Sequence, residues 1–298
     1  MDSAPTFRFV AQPGSLAHRS RFLAASLRRF APAGSVLEAC VPAGHDLDAA
    51  TLAAFEAMGV AVRRFEPEIW RRHDYPIGNK VEAACLPAST PQTLLLDSDI
   101  VAIRSLATAE LAGVQLGMRT IMARQVFGRG HRRAIGRFVE ASVRVPGGPA
   151  LQRHLAIRSP ARVGFPVFNS GVVLFPEGGD LARRLRELTV AALESPDLPE
   201  AVKRPFTDQL ALACLALEHP ERVTVLPEHW NCAINAPPER ASLWHYFAFT
   251  RLAQTGAGRE LIGSLQAEFA GQGINLLGEW TGRDVWFARP RRRRAPGK

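Results

Sequence analysis

The chain of 298 residues carries 37 Lys and Arg against 28 Asp and Glu, a net charge of +9, with 47% hydrophobic and 22% charged residues. That length buries a full core, in one large α/β domain or a domain with a smaller appendage, and the composition is that of an ordinary globular chain. No apolar run reaches the roughly 18 residues of a membrane-spanning helix. No basic-then-apolar leader precedes Phe7, and Cys40, Cys85, Cys214 and Cys232 form no CxxC pair, so a cytoplasmic location with reduced thiols is expected.

In chain order, Phe7–Ala11 reads as a strand closed by Gln12-Pro13-Gly14-Ser15, and Leu16–Phe30 has helical spacing through Phe22, Leu23, Leu27 and Phe30. Ser35–Val41 is a second strand, Asp46–Met58 a helix stopped by Gly59, and Val60–Phe65 a third strand. A helix over Asn79–Leu86 then leads to the strand Thr93–Leu96. Strands separated by single helices imply right-handed βαβ units and a mainly parallel central sheet flanked by helices. In such sheets ligands lie beyond the C-terminal ends of the strands, where both Gln12–Ser15 and Asp97-Ser98-Asp99 fall.

The stretch Gln125–Phe165 is irregular and rich in Arg, His and Gly. Order resumes with a strand over Val167–Phe175, helices over Leu181–Leu193 and Asp208–Leu217, and a short strand over Val223–Leu226. Without a repeat or an interdomain linker, a single domain over residues 1–288 is expected, followed by a basic, disordered tail over 289–298. That tail (Arg289, Arg291–Arg294, Lys298) holds over half of the positive excess. It suits at most peripheral contact with an anionic surface.

The most informative segment is Leu94-Leu95-Leu96-Asp97-Ser98-Asp99. A buried strand that closes on Asp-x-Asp leaves two carboxylates with little water, a costly arrangement unless a cation compensates them. Carboxylate oxygens are the hard ligands that Mg²⁺ or Mn²⁺ takes together with substrate phosphates. Lys80 stands out because lysine occurs elsewhere only at Lys203 and Lys298. Four further islands follow: Asn169-Ser170-Gly171 within a hydrophobic strand, Thr207-Asp208-Gln209, Trp230-Asn231, and Trp244-His245-Tyr246. Asn169 needs a hydrogen-bond partner there, and Gly171 suits a ligand's close approach to the backbone. Thr207 is an N-cap candidate for a helix starting at Asp208. His245 reads as a core histidine or, from its place in the series, as a metal ligand.

The order and spacing of these islands resemble retaining glycosyltransferases of the GT-A fold, the glycogenin and lipopolysaccharide galactosyltransferase type. The resemblance spans about Phe7 to Arg251. It implies the Rossmann-like fold of nucleotide-diphospho-sugar transferases and a hexosyl transfer from a UDP-sugar with Mn²⁺ or Mg²⁺. It further implies Asp97, Asp99 and His245 as metal ligands. Gln12, Ser15, Asn79, Lys80, Asp97, Ser98, Asp99, Asn169, Ser170 and Gly171 would contact the nucleotide sugar, and Asp208 and Gln209 would lie near the reacting centre. The family's closing motif, His-x-x-Gly-x-x-Lys-Pro-Trp, becomes His245-x-x-Ala248-x-x-Arg251-Leu252-Ala253 here. Arg251 then takes the lysine's place against the leaving diphosphate, and Ala248 would obstruct a close backbone approach to phosphate.

The acceptor is unnamed by the sequence. Arg129–Arg137 suits an acidic or phosphorylated one, and no specific nucleic acid is expected because stacking aromatics there are sparse. Two alternatives remain open at this point. A haloacid-dehalogenase-like phosphatase also closes a strand on Asp-x-Asp, but after its first strand rather than its fourth. The altered closing motif also allows a catalytically inactive sugar-nucleotide-binding protein.

Overall fold

The computed structural model describes residues 4–121, 131–143 and 167–277. Four strands, β1 (Thr6–Val10), β2 (Val36–Pro42), β3 (Val60–Phe65) and β4 (Gln92–Leu96), run parallel in the order β3-β2-β1-β4. The connections are α1 (Ser15–Phe30), α2 (Ala49–Ala57) and the pair α3 (Glu68–His73) and α4 (Gly78–Ala84). α1 is entered through Gly14 at φ 73° and ψ −138°, backbone angles that favour a residue without a Cβ. α2 begins later than its spacing suggests because Asp48 is its cap, accepting from the Thr51 N–H at 2.7 Å. α3 was not legible in the sequence; six residues give too little periodicity to register.

The sheet continues through β6 (Leu116–Thr120), β7 (Phe168–Pro176) and β8 (Val223–Val225), following the short β5 (Ile100–Ala102) in sequence. The complete order is β3-β2-β1-β4-β7-β6-β8, with β7 antiparallel to both β4 and β6. β5 instead joins β9 (Cys232–Ala233) and β10 (Leu243–His245) in a small second sheet of order β5-β10-β9. The arrangement is the expected α/β fold with a mixed, mostly parallel sheet. Inside the stretch expected to be irregular, Arg132–Ser142 forms helix α5. The remaining helices are α6 (Asp180–Glu194), α7 (Glu200–Glu218), α8 (Phe249–Gln254) and α9 (Gly256–Ala270). No helix among the described residues is long and apolar enough to cross a membrane. The expected tail over 289–298 lies outside the described residues.

Helices cover both faces of the sheet, which is why Leu94, Leu95 and Leu96 of β4 follow one another without polar alternation. Leu94 and Leu96 enter one core with Phe7, Phe9, Phe22, Leu23, Trp230 and Trp244. Leu95 enters the other with Val81, Val173, Leu181 and Leu212. Packing on both sides immobilises β4, and Asp97 follows directly on its last residue. The chain's four cysteines are all free thiols, and burial pushes Cys40 up to about 12, so its thiolate is suppressed at neutral pH.

Candidate active site

Register and hydrogen bonding bring four separate stretches of chain to the end of β4. β4 pairs with β7 through Leu96 opposite Val172, and the next bond runs from the Asp97 N–H to the Gly171 carbonyl at 2.8 Å. β5 pairs antiparallel with β10 through Ile100 opposite His245, and the Tyr246 N–H donates to the Asp99 carbonyl at 3.0 Å. β9 pairs with β10 through Ala233 opposite His245. Asn231, two residues before Ala233, thereby reaches the imidazole, its Oδ1 lying 3.1 Å from His245 Nδ1. Asp99 and Tyr246, far apart in sequence, are therefore joined by a backbone bond and not by side chains alone.

Asp97, Asp99 and His245 form the one group of three such ligands found among the described residues, with ligand atoms all within 4.8 Å of one another. His245 Nε2 lies 3.2 Å from Asp99 Oδ1 and 4.0 Å from Asp97 Oδ2. Two hard carboxylates and one imidazole suit a Mg²⁺- or Mn²⁺-like ion, with further positions left for water or phosphate. The electrostatics point the same way. Burial alone would lower the His245 imidazole, but the neighbouring carboxylates of Asp99 and Asp97 raise it. Burial holds Asp97 above the usual carboxylate range despite Lys80. Burial would raise Asp99, but the charge and hydrogen bond of His245 together with the charges of Arg19 and Lys80 bring it below that range. Such a cluster is poised for a cation.

Lys80 ties this group to a second one. Its Nζ donates to Asp97 Oδ1 at 2.6 Å, to Ser170 Oγ at 2.9 Å and to the Ser170 carbonyl at 3.1 Å, and lies 3.3 Å from Asp208 Oδ2. Burial would lower Lys80, yet Asp97 and Asp208 raise it above its ordinary value, so it remains an ammonium. Asp208 is also held by Tyr75, whose hydroxyl donates to Oδ1 at 3.1 Å and accepts the Asp208 N–H at 3.2 Å. The Thr207 cap is not made, although the break in helical backbone at Arg204 and Phe206 leaves a helical segment beginning close to the expected Asp208. α7 runs from Glu200 with non-helical backbone at Arg204 and Phe206, and the Thr207 hydroxyl donates back to the Lys203 carbonyl. The phenol of Tyr75, supplied from the turn before α4, binds the Asp208 amide.

Gly171 also has a different partner from the one expected. A Cβ there would lie 2.7 Å from His245 Cε1 and 2.8 Å from both His245 Nδ1 and Asn169 Oδ1. The imidazole itself occupies the space read in the sequence as room for a ligand. Gly171→Ala is therefore expected to cost about 1–3 kcal/mol through overpacking, read as a lowered urea midpoint; an unchanged midpoint would show that the ring is free to move. On its other side His245 stacks against Phe247 at 4.1 Å between ring centroids. Phe247 has φ 59°, uncommon for an aromatic residue and a mark of a backbone held against its preference.

The other expected site residues are placed as follows. Gln12 is buried at the end of β1 and Ser15 opens α1. Asn79 is 1% exposed, with both amide atoms lacking a hydrogen-bond partner, and Gln209 Oε1 is likewise buried without one. The Ser98 carbonyl accepts from the Tyr246 hydroxyl at 3.3 Å. Arg251 is exposed on α8, and no side-chain bond joins it to Asp97, Asp99, His245 or Lys80 among the described residues. Ala248 is the residue before α8, in extended conformation. Arg19, buried on α1, and Tyr75 were not recognised from the sequence. The composition did hold a signal for Tyr75, because the chain has only two tyrosines and both hydroxyls end at this site.

No functionally curated protein matches the chain in sequence. Among solved structures it resembles the galactosyltransferase LgtC in complex with donor and acceptor sugar analogues, with 15% identity, TM-score 0.51, and coverage of 90% of this chain and 99% of that one. The glycosyltransferase GlyE of Streptococcus pneumoniae TIGR4 is similar at 13% identity and TM-score 0.51, covering 92% and 65% respectively. The bifunctional glycosyltransferase WbbM is similar at 15% identity and TM-score 0.50, and this chain spans 88% of its own length but 52% of WbbM's. These likenesses establish the GT-A fold. In sequence, the model of the Rhodobacterales glycosyltransferase domain matches residues 7–219. Since that match runs from the first strand through α7, well over half of the chain, the protein belongs to this Rhodobacterales family and is a glycosyltransferase of the GT-A fold.

Proposed function

We propose that this glycosyltransferase moves a hexosyl group from a UDP-sugar to an acidic or phosphorylated acceptor with retention of configuration. Asp97, Asp99 and His245 would hold Mn²⁺ or Mg²⁺. The observation that carries the reading is the convergence of those three ligand atoms within 4.8 Å beside the Lys80–Asp208 pair. The unpartnered, buried amide of Asn79, next in sequence to Lys80, fits a donor's hydroxyl or phosphate oxygens.

When bound, the metal supplies Lewis-acid stabilisation of the charge that develops on the leaving diphosphate. The chain's own groups do the rest. Lys80 is a fixed ammonium beside the site, already desolvated and held by three oxygen partners, so it needs little reorganisation as charge develops. Asp208 has one oxygen on the Tyr75 phenol and the other on Lys80. In this reading its carboxylate stabilises an oxocarbenium-like centre electrostatically, with Gln209 beside it.

Calorimetry with UDP-sugars, with and without Mn²⁺, tests this together with detection of released UDP. Metal-dependent donor binding followed by UDP release is expected; no binding of any UDP-sugar in the presence of Mn²⁺ would overturn the reading. The same titration has an expected pH dependence. A metal must displace the proton from His245, and that imidazole is raised. Mn²⁺ affinity should therefore begin to weaken on acidification at a pH above the ordinary histidine value. Affinity that stays constant down to the usual carboxylate range would exclude His245 as a ligand.

A further inference from the structure

We propose that Asn231 is a positioning residue that commits the Nδ1–H of His245 to a protein acceptor and so reserves Nε2 for the metal. The inference deepens the metal reading above and rests on it for the identity of the ligand, but the hydrogen-bond relay is a property of the metal-free chain.

The relay starts from a group whose direction is beyond doubt. The backbone N–H of Gly171 can only donate, and it points at Asn169 Oδ1 at 2.7 Å. That atom must therefore be the carbonyl oxygen of the Asn169 amide. The Asn231 amide lies 2.8 Å from the same oxygen, so the atom it presents is Nδ2, the donor. Its remaining end, Oδ1, is then turned toward His245 at 3.1 Å from Nδ1. A carbonyl oxygen accepts only, so Nδ1 carries a hydrogen. Each orientation fixes the next, from the Gly171 amide to the imidazole.

Three further contacts keep the relay from turning over. The backbone carbonyl of Asn231 accepts from Arg119, whose guanidinium is also paired to Glu228 at 3.0 Å. Asn231 is buried, as is His245, so no bulk water competes for either end. The imidazole packs so closely on Gly171 that a Cβ there would lie 2.7 Å from its Cε1. With Nδ1–H committed, Nε2 is the nitrogen that faces the carboxylates, 3.2 Å from Asp99 Oδ1. In the metal-free chain a proton on Nε2 meets Asp99 Oδ1 at that separation, and a divalent ion would take the place of that proton. The arrangement parallels other metal sites in which a ligating histidine donates its second ring N–H to a protein acceptor.

The test uses ¹⁵N-histidine-labelled full-length protein, with the His245 signals identified by their loss in His245→Gln. In the metal-free wild type, His245 should show an Nδ1–H protected from solvent exchange, and titration with Zn²⁺ as a diamagnetic probe should perturb Nε2 selectively. Asn231→Leu should abolish the protected Nδ1–H and weaken Mn²⁺ binding by about 10–100-fold. Asn231→Asp keeps an acceptor toward Nδ1 but loses the donor toward Asn169 Oδ1, so the protected proton should persist with an affinity between those of wild type and Asn231→Leu; loss of the protected proton equal to that in Asn231→Leu would point to packing alone and overturn the proposal. A wild-type spectrum with Nδ1 as the perturbed nitrogen, or without a protected Nδ1–H, would also overturn it, even if Asn231→Leu fails to fold. Failure of the wild type to bind any divalent ion, with the protected Nδ1–H present, would instead remove the metal reading and with it the purpose assigned here to Nε2.

Discussion

Asp99→Asn is expected to lower the transfer rate by on the order of 10³-fold, equivalent to about 4 kcal/mol of transition-state stabilisation, while the fold is retained. The substitution keeps the side chain's shape and removes the charge that faces His245 Nε2 at 3.2 Å. It takes a charged oxygen ligand from the proposed ion and removes the principal influence that raises His245. The side chain is only partly buried, at 17% exposure, so the neutral amide can be hydrated and the cost in stability is small. Steady-state turnover at saturating Mn²⁺, alongside a urea unfolding curve, separates the two effects. Turnover within about tenfold of wild type would remove Asp99 from the mechanism.

The largest expected effect on stability lies away from the chemistry, at Arg8. This guanidinium in the middle of β1 is 1% exposed and ion-paired to Glu38 at 2.6 Å. It also donates to the Ala83, Leu86 and Pro87 carbonyls at 3.1, 2.9 and 2.8 Å. One side chain thus pairs a buried carboxylate on β2 and satisfies carbonyls at the C-terminal end of α4, the helix that carries Asn79 and Lys80. Arg8→Met would strand the Glu38 charge and leave those carbonyls unpaired, for an expected loss of about 3–5 kcal/mol. Arg63 and Ser89, which also reach Glu38, temper the loss without replacing the bonds to α4. Adding Glu38→Leu should recover only part of the stability, since the carbonyls remain unsatisfied. A single-variant loss below about 1 kcal/mol, measured from the urea midpoint, would show that water or a neighbouring group takes over the role of Arg8.

Arg8 illustrates why part of this molecule was illegible in one dimension. In Phe7-Arg8-Phe9 the apolar residues announce a strand, and Phe7 and Phe9 do enter one core. Nothing local says that the intervening arginine is buried against a helix end some 75 residues later. Asp208 teaches the same lesson. Its neighbour Thr207 has the residue type of a cap, but the local pattern could not reveal that Tyr75, 133 positions earlier, would bind the Asp208 amide. Gly171 was singled out correctly as a position of close approach, while the approaching group, the imidazole of His245, could be identified only after β10 had been placed beside β5.

By itself the sequence determined the alternation of strand and helix, the burial of β4 on both faces, and the presence of a carboxylate pair at the strand's end. These follow from hydrophobic periodicity and from the cost of desolvating charge, both of which act over a few neighbouring residues. It also held every member of the Asp97, Asp99 and His245 group, as residue types in a recognisable order. Only the tertiary structure decided that these ligands share one point in space, that Lys80 links them to Asp208, and which partner each buried polar atom takes. Hydrogen bonds and ion pairs act over a few ångströms, and bringing residues 75, 80, 97, 171, 208, 231 and 245 within that range is the work of the completed sheet.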